Sequence, residues 1–269
     1  MRAQALEWAD ETIGLVPTMG ALHAGHRSLI DRARHENTKV VVSIFVNPIQ
    51  FGANEDLSRY PRPIEADLEM LRSAGVDALY IPRVEDMYPA GSSTRVVVGG
   101  VAEPLEGAAR PGHFEGVATV VTKLFWAVKP NRAYFGQKDA QQVAVVQRLA
   151  ADLDSGVEIV VCPIVREADG LAVSSRNAYL DPQERAAAVS MSRALRAASD
   201  AYRDGERDPA RLRVLMLDVL VREPLAALDY AEVVDPGNFS SPGTLALLAV
   251  RIGKTRLIDN HDLAQPYPG

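Results

Sequence analysis

The chain has 269 residues, 47% of them hydrophobic, which is enough apolar content to bury a large core in one domain or two. Its 29 basic and 35 acidic residues leave a net charge of -6 without any block of like charge, which argues against nonspecific binding to nucleic acid or anionic membranes. A single cysteine, Cys162, excludes an intrachain disulfide and a cysteine-rich zinc site and fits a reducing cytoplasm.

At the start of the chain Arg2, Glu7, Asp10 and Glu11 precede any apolar run, unlike a secretion signal, and no stretch approaches the roughly 20 apolar residues of a membrane span. Residues 12–16 then predict a buried strand, 24–37 a helix and 39–46 a β-branched strand, together one βαβ unit. Helical periodicity returns over 64–74, followed by a short apolar strand over 77–81 that ends at Pro82. An apolar helix over 114–128, a strand over 132–135, a helix over 139–153 and a strand over 157–162 continue the alternation. The expected fold class is α/β, a doubly wound Rossmann-like parallel sheet with helices on both faces.

Beyond Cys162 the pattern changes. Residues 163–167 and 171–173 read as a β-hairpin around Ala168-Asp169-Gly170, and a domain boundary is expected there, between residues 1–165 and 166–269. Helices over 182–204 and 209–222, and strands over 228–234 and 245–258 with a turn at Gly253, predict a smaller C-terminal α+β domain.

Ligands of such parallel sheets sit at the carboxyl ends of the strands, and the loops found there carry the chemistry-bearing residues. The loop after the first strand is Pro17-Thr18-Met19-Gly20-Ala21-Leu22-His23-Ala24-Gly25-His26. Two histidines three residues apart, at a helix start flanked by glycines, suit the phosphates of a nucleotide. The bland alternative is one capping histidine and one solvated histidine; a metal pair would need further ligands, and His35, His113 and His261 lie in no recognisable ligand spacing. After the fourth strand comes Phe135-Gly136-Gln137-Lys138-Asp139, where Lys138 could place a point charge on a phosphate or could equally be a solvated lysine beside an Asp139 cap. At the expected boundary Ser174-Ser175-Arg176-Asn177 offers two hydroxyls and a guanidinium, although serine-rich loops are common as connectors. Asn47, Gln50 and Gln142 are neutral amides suited to a small substrate with hydroxyl and carboxylate oxygens.

Taken together, HAGH, GQKD and SSRN, with FVNPIQF, RYPR, RPGHFEGVATVVTKLF and AYFGQKDAQQ between them, resemble the pantothenate synthetase family over most of residues 12–180. That family shares its HIGH-like signature with class I aminoacyl-tRNA synthetases and small nucleotidyltransferases. The resemblance implies joining of pantoate to β-alanine with ATP and Mg2+, in a cytoplasmic homodimer with no nucleic-acid or membrane partner. It implies an ATP site made of Met19, Gly20, Ala21, Leu22, His23, Ala24, Gly25 and His26, of Gly136, Gln137, Lys138 and Asp139, and of Val165, Val173, Ser174, Ser175 and Arg176. His26 falls at the position of a proton donor, and His23, Lys138, Ser174, Ser175 and Arg176 join it as catalytic donors. Gln50 and Gln142 look like pantoate-binding amides, Gln50 also reaching β-alanine; Asn47, Tyr60 and Arg110 match secondary substrate positions and Asp67 a metal-side position. On this reading residues 1–165 bind ATP and pantoate and 166–269 serve as a lid. Val173 departs from the methionine common in relatives, and Glu65-Ala66-Asp67 departs from a more acidic cluster.

Two other readings use the same loops. A nucleotidyltransferase acting on a phosphate acceptor would favour arginine or lysine where Gln50 and Gln142 stand. A nucleotide-sensing module would keep the loops and perform no chemistry.

Overall fold

The structure, a computed structural model, describes residues 1–53 and 55–268. A short helix α1 (Arg2–Glu7) leads into β1 (Ile13–Thr18), α2 (Ala24–Glu36) and β2 (Lys39–Ile44). There follow α3 (Ile64–Ser73), β3 (Ala78–Tyr80), α4 (Val84–Met87), α5 (Glu106–Ala109), α6 (His113–Val128), β4 (Arg132–Gly136), α7 (Ala140–Asp152) and β5 (Glu158–Cys162). The five strands form one parallel sheet in the order β3-β2-β1-β4-β5. The central strands β1 and β2 are buried along nearly their whole length, as a sheet covered on both faces requires, and this explains their runs of Val, Ile and Leu in place of an alternating pattern. One apolar cluster joins Ile13, Leu15 and Val41 to α6 and α7, and the other joins Val16, Val40 and Val42 to α2 and α3.

The chain winds outward from β1 through β2 to β3, returns, and then builds β4 and β5 on the other side of β1. The order therefore reverses between β1 and β4, so the loops that leave Thr18 and Gly136 start on either side of the reversal.

Contacts divide the chain into two compact units, Met1–Gly136 with Gln141–Pro163, and Gln137–Ala140 with Ile164–Gly269. The second contains α8 (Pro182–Arg203), α9 (Pro209–Leu220) and an antiparallel sheet of β6 (Ala226–Val234), β7 (Leu245–Ile252) and β8 (Thr255–Asp262). Helix α8 starts with Asp181, whose carboxylate accepts from the amides of Gln183 and Glu184 while the Glu184 side chain accepts from the Asp181 amide, a reciprocal cap followed by Pro182. Ala188, Ala194 and Leu195 of α8 pack with Leu248 and Val250 of β7. No helix among the described residues is long and apolar enough to cross a membrane.

One expectation was too regular. The hairpin after Cys162 is a single antiparallel bridge, Arg166 with Ala172, closed by a turn at Gly170. Gly253 does separate two strands, β7 and β8, within the predicted 245–258 stretch.

Candidate functional site

The loop after β1 is held in a tight, partly left-handed path, with φ of 83° at Gly20 and 50° at Ala21. A non-glycine residue persists at such a φ only where its surroundings fix it, and here the fixing group is Asp67. Asp67 lies in the first turn of α3 and is 2% exposed. Its Oδ2 accepts from the Ala21 amide at 3.0 Å and its Oδ1 from the Leu22 amide at 2.7 Å. Thr18 adds a third tie, donating to the Ser43 carbonyl at 2.7 Å and accepting from the Gly20 amide at 3.2 Å.

This path delivers His23 to the N-cap of α2 and His26 to its first turn. His23 Nδ1 accepts from the Gly25 amide at 3.2 Å, and His26 Nδ1 accepts from the His23 amide at 3.3 Å. The pair reproduces a capping box with imidazoles in place of the usual hydroxyl and carboxylate. The rings lie 4.1 Å apart between centroids, and a Cβ at Gly25 would stand 3.0 Å from the His23 ring, so this glycine makes room for the histidine. Because each Nδ1 accepts, the hydrogen of each neutral ring is on Nε2, an assignment made from the hydrogen-bond network. Capping uses Nδ1 alone, so the two readings weighed from sequence do not exclude each other.

Gln50 ends a 3-10 turn, Pro48–Gln50, after β2 and is fixed from both sides. Its side-chain Oε1 accepts from Asn47 Nδ2 at 3.0 Å and its Nε2 meets Met19 Sδ at 3.3 Å, which ties it to the histidine loop. Asn47, 1% exposed, also donates to the Gly116 carbonyl at 3.1 Å and accepts from Tyr88 Oη at 2.8 Å. Burial pushes the Tyr88 hydroxyl up to about 12, which keeps it a donor.

The Gln50 backbone is held by His113. Burial first, then the Arg110 guanidinium, lowers the His113 pKa to about 4, against its bond to the Gln50 carbonyl and the nearby Glu55 and Glu106 carboxylates. The ring is therefore neutral near pH 7. Arg110 donates to Nε2 at 3.0 Å, so Nδ1 carries the hydrogen and donates to the Gln50 carbonyl at 2.9 Å. Arg110 is itself clamped by Glu55 through two bonds of 2.8 and 2.6 Å.

Two adjacent glutamines follow in α7. Gln141 is buried and structural, accepting from the Glu106 amide at 3.0 Å and donating to the Val101 and Pro104 carbonyls. Gln142 is half-buried. Tyr60 is buried edge-on against Phe51 at 6.0 Å between ring centroids.

In the second unit, Gln137–Asp139 forms a 3-10 turn, with Lys138 Nζ 4.0 Å from Asp139 Oδ1. Val173 donates its amide to the Val165 carbonyl at 2.9 Å, bringing two predicted nucleotide residues together. Ser174 caps the 3-10 segment Ser175–Tyr179, its hydroxyl accepting from the Arg176 amide at 3.3 Å. Asn177 reaches back to the Ala172 carbonyl at 3.0 Å.

The structure thus brings Met19, His23, His26, Gln50, Asn47 and Asp67 into one connected set in the first unit, with Arg110 joined to it through His113. It groups Lys138 and Asp139, and separately Val165 with Val173 and Ser174 with Arg176, in the second. Sequence reasoning missed His113, Tyr88 and Gly116. His113 stood inside the RPGHFEG run, but its spacing to Gln50 carries no local signal.

The match to known proteins covers nearly the entire chain. The family model described as Pantoate-beta-alanine ligase matches residues 1–262. Curated relatives named pantothenate synthetase include one from Herpetosiphon aurantiacus, 54% identical over 97% of this chain and 96% of its own. Another, from Roseiflexus sp., is 58% identical over 93% of this chain and 91% of its own. The crystal structure of pantothenate synthetase from Thermus thermophilus has a TM-score of 0.92 at 46% identity, over 98% of both chains. A Francisella tularensis pantoate-beta-alanine ligase, described as complexed with beta-gamma ATP and beta-alanine, has a TM-score of 0.82 at 38% identity, over 96% of this chain and 92% of its own. With this family match, and with the five-stranded sheet and the small antiparallel sheet in place, the chain belongs to the pantoate-beta-alanine ligase family.

Proposed function

We propose that this ATP-dependent pantoate–β-alanine ligase works in two steps, through a pantoyl adenylate. A carboxylate is a poor acyl donor because its leaving group would be oxide. In the first step a pantoate carboxylate oxygen attacks the α-phosphorus of ATP, the bond to pyrophosphate breaks, and pantoyl adenylate forms. In the second the β-alanine amine attacks the pantoyl carbonyl, loses a proton, and AMP departs with the electron pair of the C–O bond.

Negative charge grows on the phosphoryl oxygens and the departing pyrophosphate, so fixed donors are the main requirement. His23 and His26 supply Nε2–H groups at the N-terminus of α2, where the helix dipole also favours an anion, and His26 is proposed as the proton donor. Lys138, Ser174, Ser175 and Arg176 are proposed as further phosphate donors, with Met19 to Leu22, Ala24, Gly25, Gly136, Gln137, Asp139, Val165 and Val173 as the remaining ATP contacts. Gln50 and Gln142 are proposed to recognise pantoate, Gln50 also β-alanine. Asn47, Arg110 and Tyr60 then act by shaping that position. The observation that carries this reading is the paired histidine cap, which fixes two N–H donors without using their Nε2 atoms for capping.

ATP and β-alanine as ligands are supported by the complex of the Francisella relative. Mg2+ is proposed to travel on the ATP phosphates and water. Asp67 accepts one backbone amide on each oxygen, and no cluster of three ligating side chains occurs among the described residues, so phosphates and water supply most of the ion's ligands. A homodimer and a cytoplasmic location belong to the same proposal.

Product analysis tests this reading. ATP, pantoate and β-alanine are expected to give AMP, pyrophosphate and pantothenate in equal amounts, with no turnover when either acid is left out. Appearance of ADP and phosphate would contradict it.

A further inference from the structure

We propose that Asn260 is a positioning residue for Lys138, and that the Asp259-Asn260 pair of β8 brackets two segments assigned to the nucleotide; this rests on Lys138 being a phosphate donor. Asn260 is 1% exposed. Its Nδ2 donates to two successive carbonyls, those of Gln137 and Lys138, both at 2.9 Å, and its Oδ1 meets Gln137 Nε2 at 3.4 Å. Both hydrogens of one amide thus fix the turn that carries Lys138. A three-residue 3-10 turn has weak internal hydrogen bonds, and the nearest carboxylate, Asp139, stands 4.0 Å from Lys138 Nζ. The direction of the lysine therefore depends on how its backbone is held, and the group holding it lies more than a hundred residues away in sequence.

Asn260 is fixed in turn. Its amide donates to Asp259 Oδ1 at 2.8 Å and its carbonyl accepts from Arg166 at 3.2 Å. Arg166 and Asp259 form a buried two-bond pair at 2.7 and 3.0 Å, and Arg166 also donates to the Gly170 carbonyl at 3.0 Å. Arg166 follows Val165 directly and bridges to Ala172, just before Val173 and Ser174. The buried Arg166 guanidinium gives its two terminal nitrogens to Asp259 and to the Gly170 and Asn260 carbonyls, while its Nε has no partner among the described residues; these bonds join the Gln137–Asp139 turn to the segment from Val165 to Ser174. Nothing in GQKD or SSRN predicts such a joint.

A double-mutant cycle on pantoate-dependent pyrophosphate exchange, with Lys138→Ala, Asn260→Ala and both together, tests the inference. Asn260→Ala is expected to lower the exchange kcat on the order of tenfold and leave the KM for pantoate unchanged. Added to Lys138→Ala it is expected to have little further effect. Multiplying effects in the double variant, or an Asn260→Ala variant with full exchange beside an impaired Lys138→Ala, would overturn the positioning role while leaving Lys138 as a donor. A Lys138→Ala variant that exchanges at the full rate would overturn the lysine's assignment and the positioning role with it. Should Asn260→Ala fail to fold, Asn260→Ser, which keeps one hydroxyl donor, takes its place in the same cycle.

Discussion

Asp67→Asn is expected to lower kcat/KM for ATP by about thirtyfold or more, although no ATP contact is assigned to Asp67 beyond a position near the metal. The carboxylate accepts the Ala21 and Leu22 amides with one oxygen each. An asparagine of the same shape must turn its NH2 toward one of those N–H groups, which replaces a charge-assisted bond by two facing donors. The loss is about 2 kcal/mol or more, from hydrogen bonding to a charged group and from a buried amide left without an acceptor. That is enough to release Gly20 and Ala21 from φ values of 83° and 50°. His23 and His26 follow this loop immediately, so a shift there moves both Nε2 donors away from the charge they are to stabilise. Steady-state kinetics at several magnesium concentrations check the cause. A defect unchanged by added magnesium fits a loop anchor, whereas rescue by magnesium would contradict it and restore Asp67 as a metal ligand.

Gly116→Ala is expected to raise the KM for pantoate and reduce kcat/KM on the order of a hundredfold, although alanine is the better helix former by about 1 kcal/mol. Gly116 lies in α6, and a Cβ built there would stand 2.6 Å from the Gln50 Cα and from the Ile49 carbonyl oxygen, and 2.7 Å from the Gln50 amide nitrogen. These are backbone atoms, so no rotamer change relieves the contact; the Pro48–Gln50 turn must move away from α6. That movement pulls against Asn47, which is bonded to the Gly116 carbonyl, and against His113, which holds the Gln50 carbonyl. Kinetics with a parallel melting curve separate the two effects. Unchanged pantoate kinetics with a raised Tm would mean that the helix absorbs the methyl and that Gln50 does not need this placement.

The parallel sheet was readable because its strands are buried on both faces and so contain β-branched runs such as Val40-Val41-Val42. The motif loops were readable because glycine, histidine and lysine punctuate strand ends, where such sheets bind ligands. Four-residue helices such as Val84–Met87 and Glu106–Ala109 show too little periodicity to be seen. Residues 94–98 look like a strand by their valines. Yet among the described residues they pair with no strand: Val96 and Val98 pack on the core, Val97 is 73% exposed, and the Val96 amide donates to the Thr119 hydroxyl.

Within the site, sequence pointed to loop residues of the types that bind substrates, and it missed the long-range contacts by which His113, Tyr88, Gly116 and Asn260 hold those loops. His113 acts on Gln50 across 63 residues and Asn260 on Lys138 across 122. No local pattern encodes such distances, because the fold alone brings these partners together. Asp67 matches a metal-side position by resemblance, and its second role, accepting the Ala21 and Leu22 amides of the histidine loop, has no local signal.

Exchange of labelled pyrophosphate into ATP, measured with pantoate and without β-alanine, tests the two-step account most directly. The account predicts exchange with pantoate alone, falling by about a hundredfold or more in His26→Ala, because the first step is reversible and needs the histidine donor. Exchange that appears only when β-alanine is present, under conditions where the complete reaction forms pantothenate, would contradict a free-standing pantoyl adenylate.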